Sequence, residues 1–159
     1  MQILRKTWSF LLNSHQMTEL KEDMRGFSSI NIPVNQNIEI VSLCEMVKKV
    51  ELLLQTEIEQ SNTKVICQEL PGYKCISSDM LLVFQNLIQN WMKYSLSENK
   101  LIEISLKNKG EMLYIYTKDN GIGIKKEHFS EIFSLFKRLH FKNEFEGTGL
   151  GLSLSKKII

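Results

Sequence analysis

Residues 79–94 constrain the fold most, because they form the clearest amphipathic pattern in the chain. At 100° per residue, one arc of about 100° contains four large apolar side chains, Phe84, Leu87, Ile88 and Trp91. A second group lies on the opposite side within about 60°, and consists of Asn86, Asn90, Lys93 and Ser97. The pattern predicts a helix that buries one side in a core and presents a polar stripe on the other.

Strand and helix patterns alternate along the rest of the chain. Alternating apolar residues predict strands at 37–43, 63–70, 72–77, 101–106 and 111–118. Helical spacing predicts helices within 1–29 and at 45–60, 129–136 and 148–159. This order favours an α/β (α+β) fold, a two-layer sandwich of sheet and helices.

Composition excludes several classes of protein. The 159 residues suit one domain, and a net charge of +2 is too small for a nucleic-acid-binding surface. No apolar run approaches the roughly 20 residues of a membrane span, so we expect no membrane contact by this chain and a cytoplasmic location. The three cysteines have no C-x-x-C spacing, which favours neither a zinc site nor a disulfide framework.

Three glycines, Gly147, Gly149 and Gly151, lie two apart near the end of the chain and lead into a helical pattern. A dinucleotide fingerprint needs G-x-G-x-x-G and an acidic residue about 20 positions later, and this spacing does not match. A P-loop needs Gly-Lys-Ser/Thr, whereas Gly151 is followed by Leu152 and Ser153. The glycines therefore serve another kind of nucleotide site, or none.

Four motifs occur in a fixed order: N-L-I-Q-N at 86–90, D-N-G-I-G-I at 119–124, I-F-S-L-F-K-R at 132–138 and G-T-G-L-G-L at 147–152. Together they resemble the four boxes of the sensor histidine kinase ATP-binding domain, which shares a family with gyrase, the Hsp90 chaperones and MutL. The resemblance covers about 36–159, and 136–159 are similar to phytochrome-type kinases. It implies a Bergerat-type fold, a mixed sheet packed on three helices, with one further N-terminal helix.

The resemblance also implies which residues bind ATP. Asp119 would accept a hydrogen bond from the adenine amino group, and Gly121 and Gly123 would let the backbone approach the base. Glycine-flanked amides at a helix start would bind the phosphates, and this set comprises Gly147, Thr148, Gly149, Leu150 and Gly151.

The remaining implied roles concern the metal and the phosphate charge. Asn90 would bind Mg²⁺ through its side-chain oxygen, with support from Asn86. Lys93 and Arg138 would neutralise phosphate charge, and Tyr94 would pack near the nucleotide. Two phenylalanines, Phe133 and Phe136, are expected to pack and anchor a lid at 137–146, while Lys118 and His140 are expected on the solvated surface.

A histidine kinase of this kind transfers the γ-phosphoryl group of ATP to a histidine on a dimerisation helix, in two-component signalling. The implied partners are that phosphoacceptor domain, a response regulator and a second copy bound through the N-terminal helix. Relatives that hydrolyse ATP carry a glutamate four residues before the Mg²⁺ asparagine. Here that residue is Asn86, and a carboxamide is not a useful general base, so hydrolysis is disfavoured.

Three departures keep an alternative open, a non-catalytic nucleotide-binding or interaction module of the same fold. Trp91 stands where the family usually has alanine, and either crowds the pocket or fills core volume. Residues 1–35 have room for only one helix and linker, a remnant of a dimerisation hairpin, in which His15 is a poor match to the phosphoacceptor motif. Residues 36–159 are expected to form the ATP-binding domain without its last strands.

Overall fold

The computed structural model describes residues 37–68, 72–109, 112–137 and 148–159. The helix expected within 1–29 and most of the lid expected at 137–146 lie outside these ranges. The division of the chain at residue 35 therefore stays a prediction.

The described elements alternate between strands and helices. The strands are β1 (Ile38–Ser42), β2 (Thr63–Cys67), β3 (Gly72–Ile76), β4 (Lys100–Lys109) and β5 (Met112–Asp119). The helices are α1 (Leu43–Leu53), α2 (Gln55–Gln60), α3 (Ser77–Lys93) and α4 (Gly151–Ile158), with a 3-10 turn at Lys126–His128.

The described residues fall into two compact units, one up to Lys126 together with Ile158 and the other from Glu127 onward. In the first unit, β1 pairs antiparallel with β3. A second sheet has the order β2-β4-β5, in which β2 runs parallel and β5 antiparallel to β4. The expected mixed sheet with helices, and hence the α+β class, is confirmed.

The core of this unit lies between helices α1 and α3 and strand β4. Ile102 and Ile104 alternate along β4 and are 1% and 0% exposed, as expected for one buried face of a strand. The predicted apolar arc of α3 packs against this core: Phe84 and Ile88 are fully buried, and Leu87 and Trp91 are half-buried.

Helix α1 begins with a side-chain cap and ends earlier than its pattern predicts. Ser42 Oγ accepts a hydrogen bond from Glu45 N at 3.3 Å, which satisfies one of the amides at the helix start. One helix was expected over 45–60, but Leu54 leaves helical geometry (φ −104°, ψ 18°) and buries its side chain to 2% exposure. No glycine or proline marks this break in the sequence.

In the second unit, the helix expected at 129–136 is wrong. Short turns replace it, with Glu131 N bonded to His128 O and Ser134 N to Glu131 O, both at 2.9 Å. Phe136 has φ +59°, a left-handed conformation that cannot continue a right-handed helix.

The expected packing of the two phenylalanines is also not observed. Phe133 and Phe136 are 39% and 58% exposed. The turns give these side chains no buried helical face. Lys156 Nζ lies 5.4 Å from the centroid of the Phe133 ring, which is a cation–π distance.

The core assignment predicts the effect of truncating α3. Ile88→Ala removes a fully buried side chain and should lower the free energy of unfolding by about 2–5 kcal/mol, measured by chemical denaturation. Leu52→Ala is the matched control, because Leu52 on α1 is 72% exposed and its loss should change stability by less than about 0.5 kcal/mol. Equal losses from the two changes would contradict the assigned core.

Candidate functional site

Two carboxamides lie one turn apart on α3, in the C-terminal half of the helix. Residues four apart share a helix face, so the side chains of Asn86 and Asn90 are neighbours. Asn86 is only 9% exposed, and within the described ranges its buried Nδ2 has no hydrogen-bond partner. The predicted polar stripe is therefore not simply solvated, since a buried amide without a partner is costly and suits a site that a ligand completes.

The last turn of α3 carries a cation and an aromatic ring. Lys93 Nζ lies 5.1 Å from the centroid of the Tyr94 ring, and both side chains are half-buried. Tyr94 N donates to Asn90 O at 2.9 Å and closes the helix. Ser97, expected on the same stripe, lies beyond the helix, where its hydroxyl donates to Asn99 O at 2.9 Å.

The D-N-G turn after β5 is held directly against the end of α3. Gly121 N donates to Asp119 Oδ1 at 2.7 Å, an Asx turn that fixes the carboxylate. A Cβ on Gly121 would lie 2.6 Å from that oxygen and 2.9 Å from Tyr94 O, so only glycine fits. Ile122 N then donates to Tyr94 O at 3.0 Å. The structure thus brings together two motifs that are distant in the sequence.

Asn120 is a positioning residue that sequence reasoning missed. Its Nδ2 donates to Asn99 O at 2.8 Å, and its Oδ1 accepts from Leu101 N at 3.0 Å. Ser95 Oγ, which is 3.5 Å from the same oxygen, can also donate to it. Asn in a turn commonly bonds nearby backbone, so D-N-G could have suggested a local bond, but not bonds to Asn99 and Leu101, which are 21 and 19 residues earlier.

The loop after the turn is open to solvent. Asp119 is exposed, and Ile122 and Ile124 are 41% and 45% exposed. Gly123 has φ +70°, a conformation that L side chains rarely adopt. An acidic acceptor with apolar neighbours is suited to a flat heterocycle that carries an amino group.

The start of α4 belongs to the second unit, where a turn at Gly149 precedes the helix. Gly149 has φ +77°, and Leu150 N donates to Thr148 Oγ1 at 3.3 Å. The helical hydrogen bonds begin with Leu154 N to Leu150 O at 2.9 Å, so the amides of Gly151 and the next two residues precede them. Such amides at a helix start favour anions, although the Leu150 amide already has an acceptor.

Some of the residues predicted from the sequence lie outside the described ranges, and others can be located within them. Arg138, His140 and Gly147 lie outside the described residues. Lys118 is on the surface as expected, with its side chain 83% exposed and its Nζ 3.6 Å from Glu103 Oε2.

Three further observations concern the described ranges. They contain no cluster of three or more His, Cys, Asp or Glu that could hold a metal ion. None of their helices is both long enough and apolar enough to span a membrane. A pocket of about 500 Å³ lies at the start of α3, away from the predicted residues, and is lined by Asn37, Met46, Lys49, Ile76, Ser77, Ser78 and Leu81.

Known proteins resemble this chain in sequence and fold. Cyanobacterial phytochrome B of Nostoc sp. is 36% identical over 92% of the chain, and the sensor protein kinase WalK of Staphylococcus haemolyticus is 32% identical over 92%. The alignments cover 20% and 25% of these relatives, so the chain spans about a fifth to a quarter of their length.

The nucleotide-free catalytic domain of the histidine kinase ThkA superposes with a TM-score of 0.64 and 26% identity, covering 77% of this chain and 80% of that one. The model of the family described as histidine kinase-, DNA gyrase B-, and HSP90-like ATPase matches residues 76–159. That match includes the amide pair on α3, the D-N-G turn and the start of α4, and the chain therefore belongs to this ATPase family.

Proposed function

We propose that this chain is the ATP- and Mg²⁺-binding catalytic domain of a sensor histidine kinase. The observation that supports it most is the D-N-G turn held on the end of α3, where Ile122 N bonds to Tyr94 O at 3.0 Å. This contact joins the turn proposed for adenine to the helix proposed for the metal. Family membership supplies the wider context, in which relatives include sensor kinases.

Asp119 is proposed to select adenine. Gly121 N uses Oδ1 of this carboxylate, and a carboxylate has two oxygens with about four lone-pair sites. The second oxygen can accept from the adenine amino group, whereas guanine presents a carbonyl at the equivalent position and would be repelled. Gly121 and Gly123 keep Cβ atoms away from the turn, and Tyr94, whose backbone contacts Gly121, is proposed to pack near the nucleotide.

Asn90 is proposed to hold Mg²⁺, with Asn86 beside it. Mg²⁺ prefers oxygen ligands and usually keeps phosphate and water in its remaining positions, which suits two amides better than a closed protein cage. The Asn86 amide fits this role because its buried Nδ2 lacks a partner in the described structure and can donate to a phosphate oxygen or a metal-bound water. When bound, Mg²⁺ neutralises phosphate charge, and Lys93 adds a cation at the same helix end.

The triphosphate is proposed to bind amides at the start of α4. Gly149 reverses the chain with φ +77°, and the amide of Gly151 precedes the first helical hydrogen bond. Thr148 and Leu150 flank Gly149 in this turn, while Gly147 and Arg138 are proposed from the motif alone. Because Leu150 N donates to Thr148 Oγ1 at 3.3 Å, nucleotide binding would require this amide to exchange its acceptor.

The proposed reaction passes the γ-phosphoryl group to a histidine on a dimerisation helix, and a response regulator then receives it. A phosphoryl transfer of this kind depends mainly on positioning and charge neutralisation. It needs no water-activating base at residue 86, where hydrolysing relatives carry glutamate. The acceptor histidine and the homodimer through the N-terminal helix remain proposals from the resemblance.

The alternative, a non-catalytic module, loses one of its arguments. Trp91 is half-buried and packs against the hydrophobic core, which supports core filling rather than crowding of the pocket. We therefore favour the kinase proposal.

Removing the Asp119 charge should weaken adenine binding without unfolding the turn. Asn can still accept from Gly121 N, so Asp119→Asn should fold normally but bind an ATP analogue at least about tenfold more weakly, measured by isothermal titration calorimetry. Glu103→Gln is the matched acid-to-amide control on β4 and should leave affinity unchanged. Unchanged affinity in Asp119→Asn would remove this residue from the site.

Removing the proposed metal ligand should weaken nucleotide binding only when Mg²⁺ is present. Asn90→Ala should abolish most of the gain in nucleotide affinity that Mg²⁺ produces, with titrations run in Mg²⁺ and in EDTA. Gln89→Ala is the control, because Gln89 is adjacent on α3 but exposed. If both variants keep the full Mg²⁺ effect, Asn90 is not the ligand.

Phosphotransfer distinguishes a kinase from a binding module. With radiolabelled ATP and a histidine supplied on a separate dimerisation hairpin, the chain should label the hairpin, and Asn90→Ala should not. Nucleotide binding without any labelling would favour the non-catalytic module.

A further inference from the structure

Two cysteine side chains meet where helix α1 begins and strand β2 ends. Cys44 is the second residue of α1, and Cys67 is the last residue of β2. Their sulfur atoms lie 3.0 Å apart, and both cysteines are free thiols. The spacing of the cysteines in the sequence did not reveal this pair, because the fold brings together positions 23 residues apart.

Both thiols are held in place by the same backbone carbonyl. Cys44 Sγ donates to Gln68 O at 3.1 Å, and Cys67 Sγ lies 3.4 Å from the same oxygen. Gln68 N in turn donates to Ile104 O at 2.9 Å, which extends the parallel pairing of β2 with β4. The carbonyl is thus fixed by the sheet, and the two sulfurs are directed to one point.

The helix side of the pair is equally constrained. Leu43 and Val47, on either side of Cys44 along α1, are both fully buried in the core. A disulfide has an S–S length of about 2.05 Å, so the two sulfur atoms, 3.0 Å apart, need to approach by about 1 Å.

We propose that Cys44 and Cys67 form a modification site at which hydrogen peroxide produces a reversible intramolecular disulfide. One thiolate attacks a peroxide oxygen, the O–O bond breaks, and a sulfenic acid and hydroxide result. The second thiol then attacks the sulfenic sulfur, an S–S bond forms, and the oxygen leaves as water. Two thiols are oxidised, and one peroxide is reduced to two waters.

The contact between the two sulfur atoms, at 3.0 Å, places each thiol to resolve a sulfenic acid formed on the other. Burial, followed by its hydrogen bond to Cys44, raises the pKa of the Cys67 thiol to about 12. Cys75 lies in β3 and also packs against the core, where burial raises its pKa, which makes it a matched control thiol.

The disulfide would link helix α1 covalently to the sheet β2-β4-β5. Helix α1 packs with α3 in one core cluster, while β2 pairs with β4. A covalent link between them closes a loop in the unfolded chain and opposes separation of α1 from the sheet. The oxidised chain should therefore unfold at a higher temperature by several degrees, and amides at the start of α1 should exchange more slowly.

Peptide mapping after mild peroxide treatment of the whole chain tests the proposal. The expected product is a cross-linked pair of peptides containing Cys44 and Cys67, with Cys75 still alkylated as a free thiol, and dithiothreitol should reverse it. The mapping uses the unmodified chain, so its result does not depend on the folding of any variant or on the nucleotide site. Recovery of Cys44 and Cys67 as free thiols, or as separate sulfinic acids, would overturn the proposal.

Variants identify the partners. Cys75→Ser should retain both the cross-link and the rise in melting temperature, whereas Cys44→Ser and Cys67→Ser should lose both. A cross-link that depends on Cys75, or one found only between two chains, would contradict an intramolecular Cys44–Cys67 bridge.

Discussion

The rotation of helix α3 about its own axis determines which side of the helix carries the amide pair proposed for the metal. Phe84 and Ile88 are fully buried against α1 and β4, and together they allow only one side of α3 to face the core. Each large apolar side chain contributes about 1.5–3 kcal/mol when it leaves water, so turning the helix would cost several kcal/mol. The positions of Asn86 and Asn90 follow from this constraint, because their angular offset from the apolar arc is fixed by helix geometry.

A second constraint positions the turn after β5 relative to the end of α3. Tyr94 O accepts from Ile122 N, and the close approach of Gly121 to Tyr94 leaves no room for a side chain. The turn is therefore positioned by backbone atoms at the end of α3, together with the side chains of Asp119 and Asn120, which bond to backbone groups. Backbone contacts of this kind favour preorganisation, since fewer rotatable bonds must be ordered when a ligand binds.

Patterns with a single physical cause were predictable from the sequence. The apolar arc identified α3 to within two residues at each end, and alternation identified β4 and β5. Features that depend on tertiary contacts were not. The break at Leu54 has no glycine or proline, and the apolar spacing at 129–136 resembled a helix but forms turns.

The candidate site likewise combines features that the sequence motifs predicted with features that depend on tertiary contacts. The D-N-G motif predicted a turn where a strand ends, and Gly121 N bonds to Asp119 Oδ1 in such a turn, while the binding roles of both residues stay proposals. The burial of Asn86, the bonds of Asn120 and the meeting of Cys44 with Cys67 depend on what the fold places nearby. Hydrophobic periodicity contains no information on such pairs, because it describes only the side of an element that is buried.

The bonds of Asn120 also affect how the surrounding sequence can change. Surface loops usually tolerate insertions, and the connection between α3 and β4 looks like one of these. Its end is held at two places, since Asn99 O accepts from Asn120 Nδ2 and Asn99 Oδ1 accepts from Asn62 Nδ2, each at 2.8 Å. A residue inserted there would shift one bond relative to the other and move the D-N-G turn, so the length of this short exposed connection is tied to the geometry of a distant motif.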